Sequence, residues 1–185
     1  MTRRLVLASA SPRRHELLIA AGLELDVVPA HVDEAPLPGE APVATALRLA
    51  VDKARTVAVR YPDEVVLGAD TVVVIGGVAL GKPVDEAEAG DMLRRLSGHW
   101  HQVVTGVCLT RAGDGWERAW TCATDVRFRE LDHAGIQRYI ARVHVLDKAG
   151  AYAIQECGEM IVAETRGLVS NVIGLPVEEV VRELP

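Results

Sequence analysis

At 185 residues and a formal net charge of −6, the chain is long enough to bury a core without disulfides and too acidic for a general electrostatic grip on nucleic acid. Its 49% hydrophobic and 25% charged residues exclude a disordered chain, so any anionic ligand must be gripped locally. Cys108, Cys122 and Cys157 show neither CxxC nor Cys/His spacing, which argues against structural zinc and for reduced, mostly buried thiols.

In chain order, Leu5 to Ala8 is a short apolar run that stops at small residues, and Pro12 opens a helical pattern through Leu17, Leu18 and Ala21 to Gly22. The run is too short for a signal-peptide core, and no segment approaches the roughly 20 apolar residues of a membrane span, so the expected location is the cytoplasm. Leu25 to Val28 reads as a second strand, followed by a Pro-rich acidic loop from Pro29 to Pro42 and a helix running to about Arg60. Glu64 to Ile75 is the strongest strand candidate, with Val65, Val66 and Leu67 before Asp70 and Val72, Val73 and Val74 after it. Gly76-Gly77 turns the chain back. A helix over 86–97 precedes two longer strands around 101–110 and 117–128. A helix near 132–142 leads into the loop HVLDKAGAYAIQ, then a strand around Met160 to Ala163 and a terminal helix from Val177. This order predicts a central sheet with helices packed against it, as one domain or two closely joined lobes.

Ser11 stands where an N-cap belongs and Pro12 where a first helical residue belongs, presenting backbone N–H groups at the end of a strand. Arg13 and Arg14 lie in the same first turn, where the helix dipole disfavours positive charge, so a bound phosphate would relieve an unfavourable arrangement. An ordinary capped helix with solvated arginines is the other reading. Lys53 lies at the margin of the stripe of Val43, Leu47, Ala50, Ala54 and Val57, as a cation overlooking a cleft or a snorkelling surface lysine. Glu34, beside Asp33, is a candidate ligand or a solvated carboxylate.

Asp70 interrupts the most apolar strand of the chain, and a carboxylate there needs a cation, a metal or water. Small Gly68 and Ala69 leave room for a ligand, and as base or metal ligand Asp70 suits phosphoryl chemistry; a structural ion pair with an arginine is the alternative. Gly81-Lys82-Pro83 and Asp147-Lys148-Ala149-Gly150 place lysines in bends that suit phosphate oxygens. No GxxxxGK[ST] loop, GxSxG or HExxH is present, and His99, His101 and His144 have no triad or metal spacing.

Together, LASASPRRHELL, VDE, RLAVDKA, LGADTVV, GKP, MLRRLSG with HQVVTGV, DKAGAYAIQ and NVIGLP resemble, in family order, the Maf family of nucleotide pyrophosphatases, also called septum formation inhibitor proteins. The resemblance spans residues 1–185 as a single Maf-like domain. It implies an α/β fold similar to inosine triphosphate pyrophosphatases, an elongated mixed sheet flanked by helices with two lobes around a cleft. It further implies hydrolysis of a nucleoside triphosphate to monophosphate and pyrophosphate, a divalent cation such as Mg or Mn, and a homodimer. Carried onto this chain, Asp70 is the general base. Ser9, Ser11, Arg14, Lys53, Lys82 and Lys148 hold the triphosphate, and Glu34, Asp70 and Asp147 hold metal or water.

Within the family, the group that acts on dTTP and UTP carries Arg, Thr and Gln where this chain has Arg13, Thr71 and Gln155. The group acting on 7-methyl-GTP carries Trp, Gln and Glu there. A glutamine amide offers both a donor and an acceptor and matches the O4 and N3–H edge of uracil or thymine. Ala153 replaces the usual Gly of AYGIQ, and ETRGLVSN replaces the more familiar Gly-Ser-Tyr-Ser-Asn type of segment. The competing reading from another class is a non-catalytic, nucleotide-binding regulator of cell division; a pyrophosphatase with another base preference, such as 7-methyl-GTP, is a third.

Overall fold

The computed structural model of the chain describes residues 4–185. The elements run β1 (Leu5–Leu7), α1 (Pro12–Ala20), β2 (Leu25–Val27), α2 (Pro42–Ala58), β3 (Val65–Ile75), β4 (Val78–Leu80), α3 (Glu86–Leu96), β5 (Trp100–Arg111) and β6 (Trp116–Phe128). Then follow α4 (His133–Ile140), a 3-10 turn (Ala149–Ala151), α5 (Gly158–Ile161), β7 (Val162–Arg166), α6 (Val169–Ile173) and α7 (Val177–Glu183). The seven strands form one sheet ordered β2-β1-β3-β5-β6-β7, with β4 paired to β3. β1 is parallel to β2 and β3, whereas β3–β4 and β6–β7 are antiparallel, so the sheet is mixed and the expected α/β class holds.

The chain gathers into two compact units. The first takes residues up to Thr71, Thr105–Cys122 and Gly174–Pro185. Here β1, the first half of β3 and the second half of β5 are buried on both faces, as near-continuous apolar runs require. Leu5, Leu7, Val65, Leu67 and Ala69 pack with Leu18 of α1 and Val180 of α7, while Val6 and Val66 meet Val57 and Ala58 of α2 on the other face. α2 lies unusually close to the sheet. A Cβ on Gly68 would sit 2.1 Å from the Ala50 carbonyl oxygen, and one on Gly106 would sit 2.3 Å from that of Ala46.

The second unit takes Val72–Val104 and Ala123–Ile173. Its core joins Leu93 and Leu96 of α3, Ile136 and Tyr139 of α4, Val103 of β5, Val126 and Phe128 of β6, and Tyr152 and Ile161. The strand expected at Met160–Ala163 begins later, at Val162, because Gly158–Ile161 makes a helical turn whose Ile161 is fully buried. The short helix α6 stands between β7 and the terminal helix, where the sequence marks no element. Among the described residues no helix is long and apolar enough to cross a membrane. Cys108 and Cys122 are buried and Cys157 is partly so; burial pushes the Cys108 thiol up to about 12 and that of Cys122 to about 11, keeping both protonated.

Candidate active site

In the first unit the site starts from the strand alternation of β3. Val66, Gly68 and Asp70 share one face, the face that α2 covers. With no side chain on Gly68, the backbone of α2 fills the space expected for a ligand, which corrects the reading of Gly68 as ligand room. That approach brings Lys53 to Asp70. The Lys53 ammonium lies 2.7 Å from Asp70 Oδ1 and 2.6 Å from Glu34 Oε1. Lys53 is buried, 8% exposed, and is therefore no snorkelling surface lysine. The cation that Asp70 requires is supplied at contact distance by this lysine, and Glu34 reaches the same ammonium from the acidic loop.

Asp70 stays partly open to solvent, its side chain 20% exposed. It can therefore meet a water molecule while held by Lys53. Glu34 and Asp70 meet at the Lys53 ammonium, and carboxylate oxygens of this kind suit a hard divalent cation bound partly through substrate phosphates, as magnesium is commonly bound. Glu34 and Asp70 fit such an ion as part of its coordination, though among the described residues no three His, Cys, Asp or Glu side chains gather as a metal cluster.

A second arrangement in the same unit is centred on Arg14. Ser11 caps α1, its Oγ accepting from Arg14 N at 3.5 Å, and Pro12 is the first helical residue. The solvated arginine of the ordinary-helix reading is absent at position 14. Arg14 is buried and donates from Nε to the Gly174 carbonyl at 2.9 Å, from Nη1 to Ser9 Oγ at 3.1 Å and from Nη2 to Thr71 Oγ1 at 3.0 Å. Burial lowers its pKa, opposed chiefly by the charge of Asp70. Thr71 Oγ1 also lies 2.9 Å from Thr105 Oγ1 and donates to the Gly174 carbonyl at 3.1 Å. One proton donated and two hydrogen bonds accepted complete the hydroxyl's capacity. Arg13, half-buried, points from the same first turn.

The remaining expected residues lie in the second unit. Gly150 adopts a φ of 69°, and its N–H donates to the Gly81 carbonyl at 3.0 Å, so the loops of Lys82 and Lys148 are tied together. Lys82 is exposed. Lys148 is buried and donates to the His144 carbonyl at 2.6 Å and Asp147 Oδ1 at 2.9 Å, with Glu156 Oε1 at 3.2 Å. A phosphate reaching Lys148 would displace one of these partners, since an ammonium has three protons. Gln155 is exposed in the turn before α5. Ala153 is buried without a positive φ, so alanine stands there without backbone strain.

Two features escaped sequence reading. His101 has no ligand spacing, yet its Nε2 lies 2.8 Å from the Tyr152 hydroxyl in the core, and burial pushes the imidazole down to about 4. Tyr139, which reads as an ordinary apolar helix residue, places its hydroxyl on the backbone of Ala153. An aromatic with a polar tip on a buried helix face was the available signal.

The family model described as Maf-like protein matches residues 4–185. The dTTP/UTP pyrophosphatase of Anaeromyxobacter dehalogenans strain 2CP-C is 55% identical over 97% of this chain and 91% of its own. The protein of the same name from Syntrophus aciditrophicus is 46% identical over 100% and 90%, and that from Geobacter sulfurreducens 49% over 98% and 95%. The structure of the Staphylococcus aureus Ham1 protein aligns with 69% of this chain and 73% of its own at 13% identity, with a TM-score of 0.49, too slight a likeness to carry an argument.

Proposed function

Because this chain belongs to the Maf-like protein family, we propose that it is a nucleoside triphosphate pyrophosphatase that hydrolyses dTTP and UTP to the monophosphate and pyrophosphate. The relatives' shared name supports the substrate. The observation that carries the chemistry is the Asp70 carboxylate, partly solvated and held 2.7 Å from Lys53 in the middle of an apolar strand. Asp70 takes the proton of the attacking water, and Lys53 at 2.7 Å holds the carboxylate in place. Glu34 shares Lys53, which fixes the acidic loop at the same point. A bound divalent cation, held by Glu34 and Asp70, would screen the polyphosphate and stabilise the leaving pyrophosphate.

The family resemblance assigns the phosphates to Ser9, Ser11, Arg14, Lys53, Lys82 and Lys148. For Arg14 the geometry favours a supporting share, since three of its N–H groups are used within the protein. Base choice is assigned to Arg13, Thr71 and Gln155. With its hydroxyl engaged by Arg14, Thr105 and Gly174, Thr71 acts by shaping the site, which leaves the exposed amide of Gln155 to pair with the base edge. The protein works as a homodimer in the cytoplasm. The test is a panel of nucleotides with Mg or Mn. The reading expects kcat/KM for dTTP and UTP to exceed that for purine triphosphates and 7-methyl-GTP by tenfold or more, about 1 to 3 kcal/mol per mispaired polar group. Turnover of none would favour a nucleotide-binding regulator, and preference for 7-methyl-GTP would overturn the base assignment.

A further inference from the structure

Gln155 is exposed, so the direction of its amide depends on how rigidly the backbone of its turn is held. That turn is closed by Glu156 N donating to the Ala153 carbonyl at 3.3 Å. The same carbonyl accepts from the Tyr139 hydroxyl at 3.2 Å, and Ala153 N donates back to that hydroxyl at 3.1 Å. A single phenol oxygen thus does for Ala153 what a neighbouring strand would do, satisfying N–H and C=O together. Tyr139 is fully buried on α4, whose Asp132 cap and buried Ile136 and Ile140 fix its position. Burial raises the pKa of the Tyr139 hydroxyl, so it stays a proton donor across the working range.

Two further contacts hold the ends of the segment. The Tyr152 hydroxyl meets His101 Nε2 at 2.8 Å on one side, and Lys148 pairs with Glu156 at 3.2 Å on the other. Gln155 lies between them. The Tyr139 contact is made to main-chain atoms and does not depend on the side chain at position 153, so it survives the exchange of the family's usual Gly for Ala.

We infer that Tyr139 is a positioning residue for base selection, holding the Ala153 backbone so that the turn presents Gln155 in one orientation. The inference rests on the reading that Gln155 contacts the base. It makes Tyr139 a determinant of which nucleotide is accepted, with no contact of its own to substrate.

The test removes one oxygen. Tyr139→Phe keeps the ring in the core, and Gln155→Ala removes the amide; each is assayed alone and together for the ratio of kcat/KM between dTTP and dATP. We expect each single variant to lower the ratio about tenfold and the double variant to lower it no further than Gln155→Ala, since the phenol acts only through the amide. A merely structural role would lower the melting temperature and slow all nucleotides alike, with the ratio unchanged. If Gln155→Ala lowers the ratio while Tyr139→Phe leaves it intact, or if the two effects multiply, the inference fails and the reading of Gln155 stands. If Gln155→Ala leaves the ratio intact, the reading itself fails and the inference with it. Should Tyr139→Phe unfold at the assay temperature, the same ratios are measured for all variants at a lower temperature at which its circular dichroism matches that of the natural chain, against the same outcomes.

Discussion

Replacing Asp70 with Asn keeps the shape of the side chain but removes the charge that Lys53 holds at 2.7 Å. Turnover of dTTP should fall by about 100-fold or more, the usual scale for losing a general base. The fold should persist, because Glu34 still pairs with Lys53 at 2.6 Å. Near-normal turnover by a folded Asn variant would remove Asp70 from the chemistry, and loss of fold would make the pair structural. His101 gives a second prediction at this scale. Its folded pKa is lowered from 6.5 to about 4 by burial, so between those values the unfolded chain binds a proton that the folded chain refuses. Stability is therefore intact above pH 6.5 and lost as pH falls toward 4, by on the order of 3 kcal/mol. Urea midpoints at pH 7 and pH 4.5 should differ less in His101→Gln than in the natural chain; equal differences would take His101 out of the account.

At the scale of elements, the closeness of α2 to the sheet sets the Lys53–Asp70 distance, and Gly68 permits that closeness. Gly68→Ala would press a methyl group to 2.1 Å from the Ala50 carbonyl oxygen, a clash with backbone that no rotamer change relieves. We expect a loss of about 3 kcal/mol in urea unfolding, together with a fall in kcat as Lys53 moves away from Asp70. An unchanged midpoint would show that α2 is free to shift. The sequence revealed that Asp70 is out of place among valines, because that signal is local. It did not reveal that Gly68 serves a helix, because the atoms it admits belong to Ala50 and Ala54 of another element. The same limit applies to Arg14, whose burial depends on Gly174, 160 residues away. The start of β7 was misplaced for a related reason: Met160 and Ile161 suit a strand by composition, and only the packing of Ile161 into the second core makes them a helical turn.

For the whole molecule, the mixed seven-stranded sheet was legible as a class from its alternation of strands and helices, and nearly every long element was found within a few residues of its expected bounds. Long periodic segments announce themselves; short ones such as α6 carry too few residues for a period to show. The two units interleave along the chain because β3, β5 and β6 each run through both, and no linker composition marks such a boundary. The central claim concerns the whole protein's reaction, and product analysis tests it most directly. The protein is incubated with dTTP and magnesium, and the products are separated and counted. The account predicts dTMP and pyrophosphate in equal amounts, and dTDP with orthophosphate, or no product at all, would contradict it.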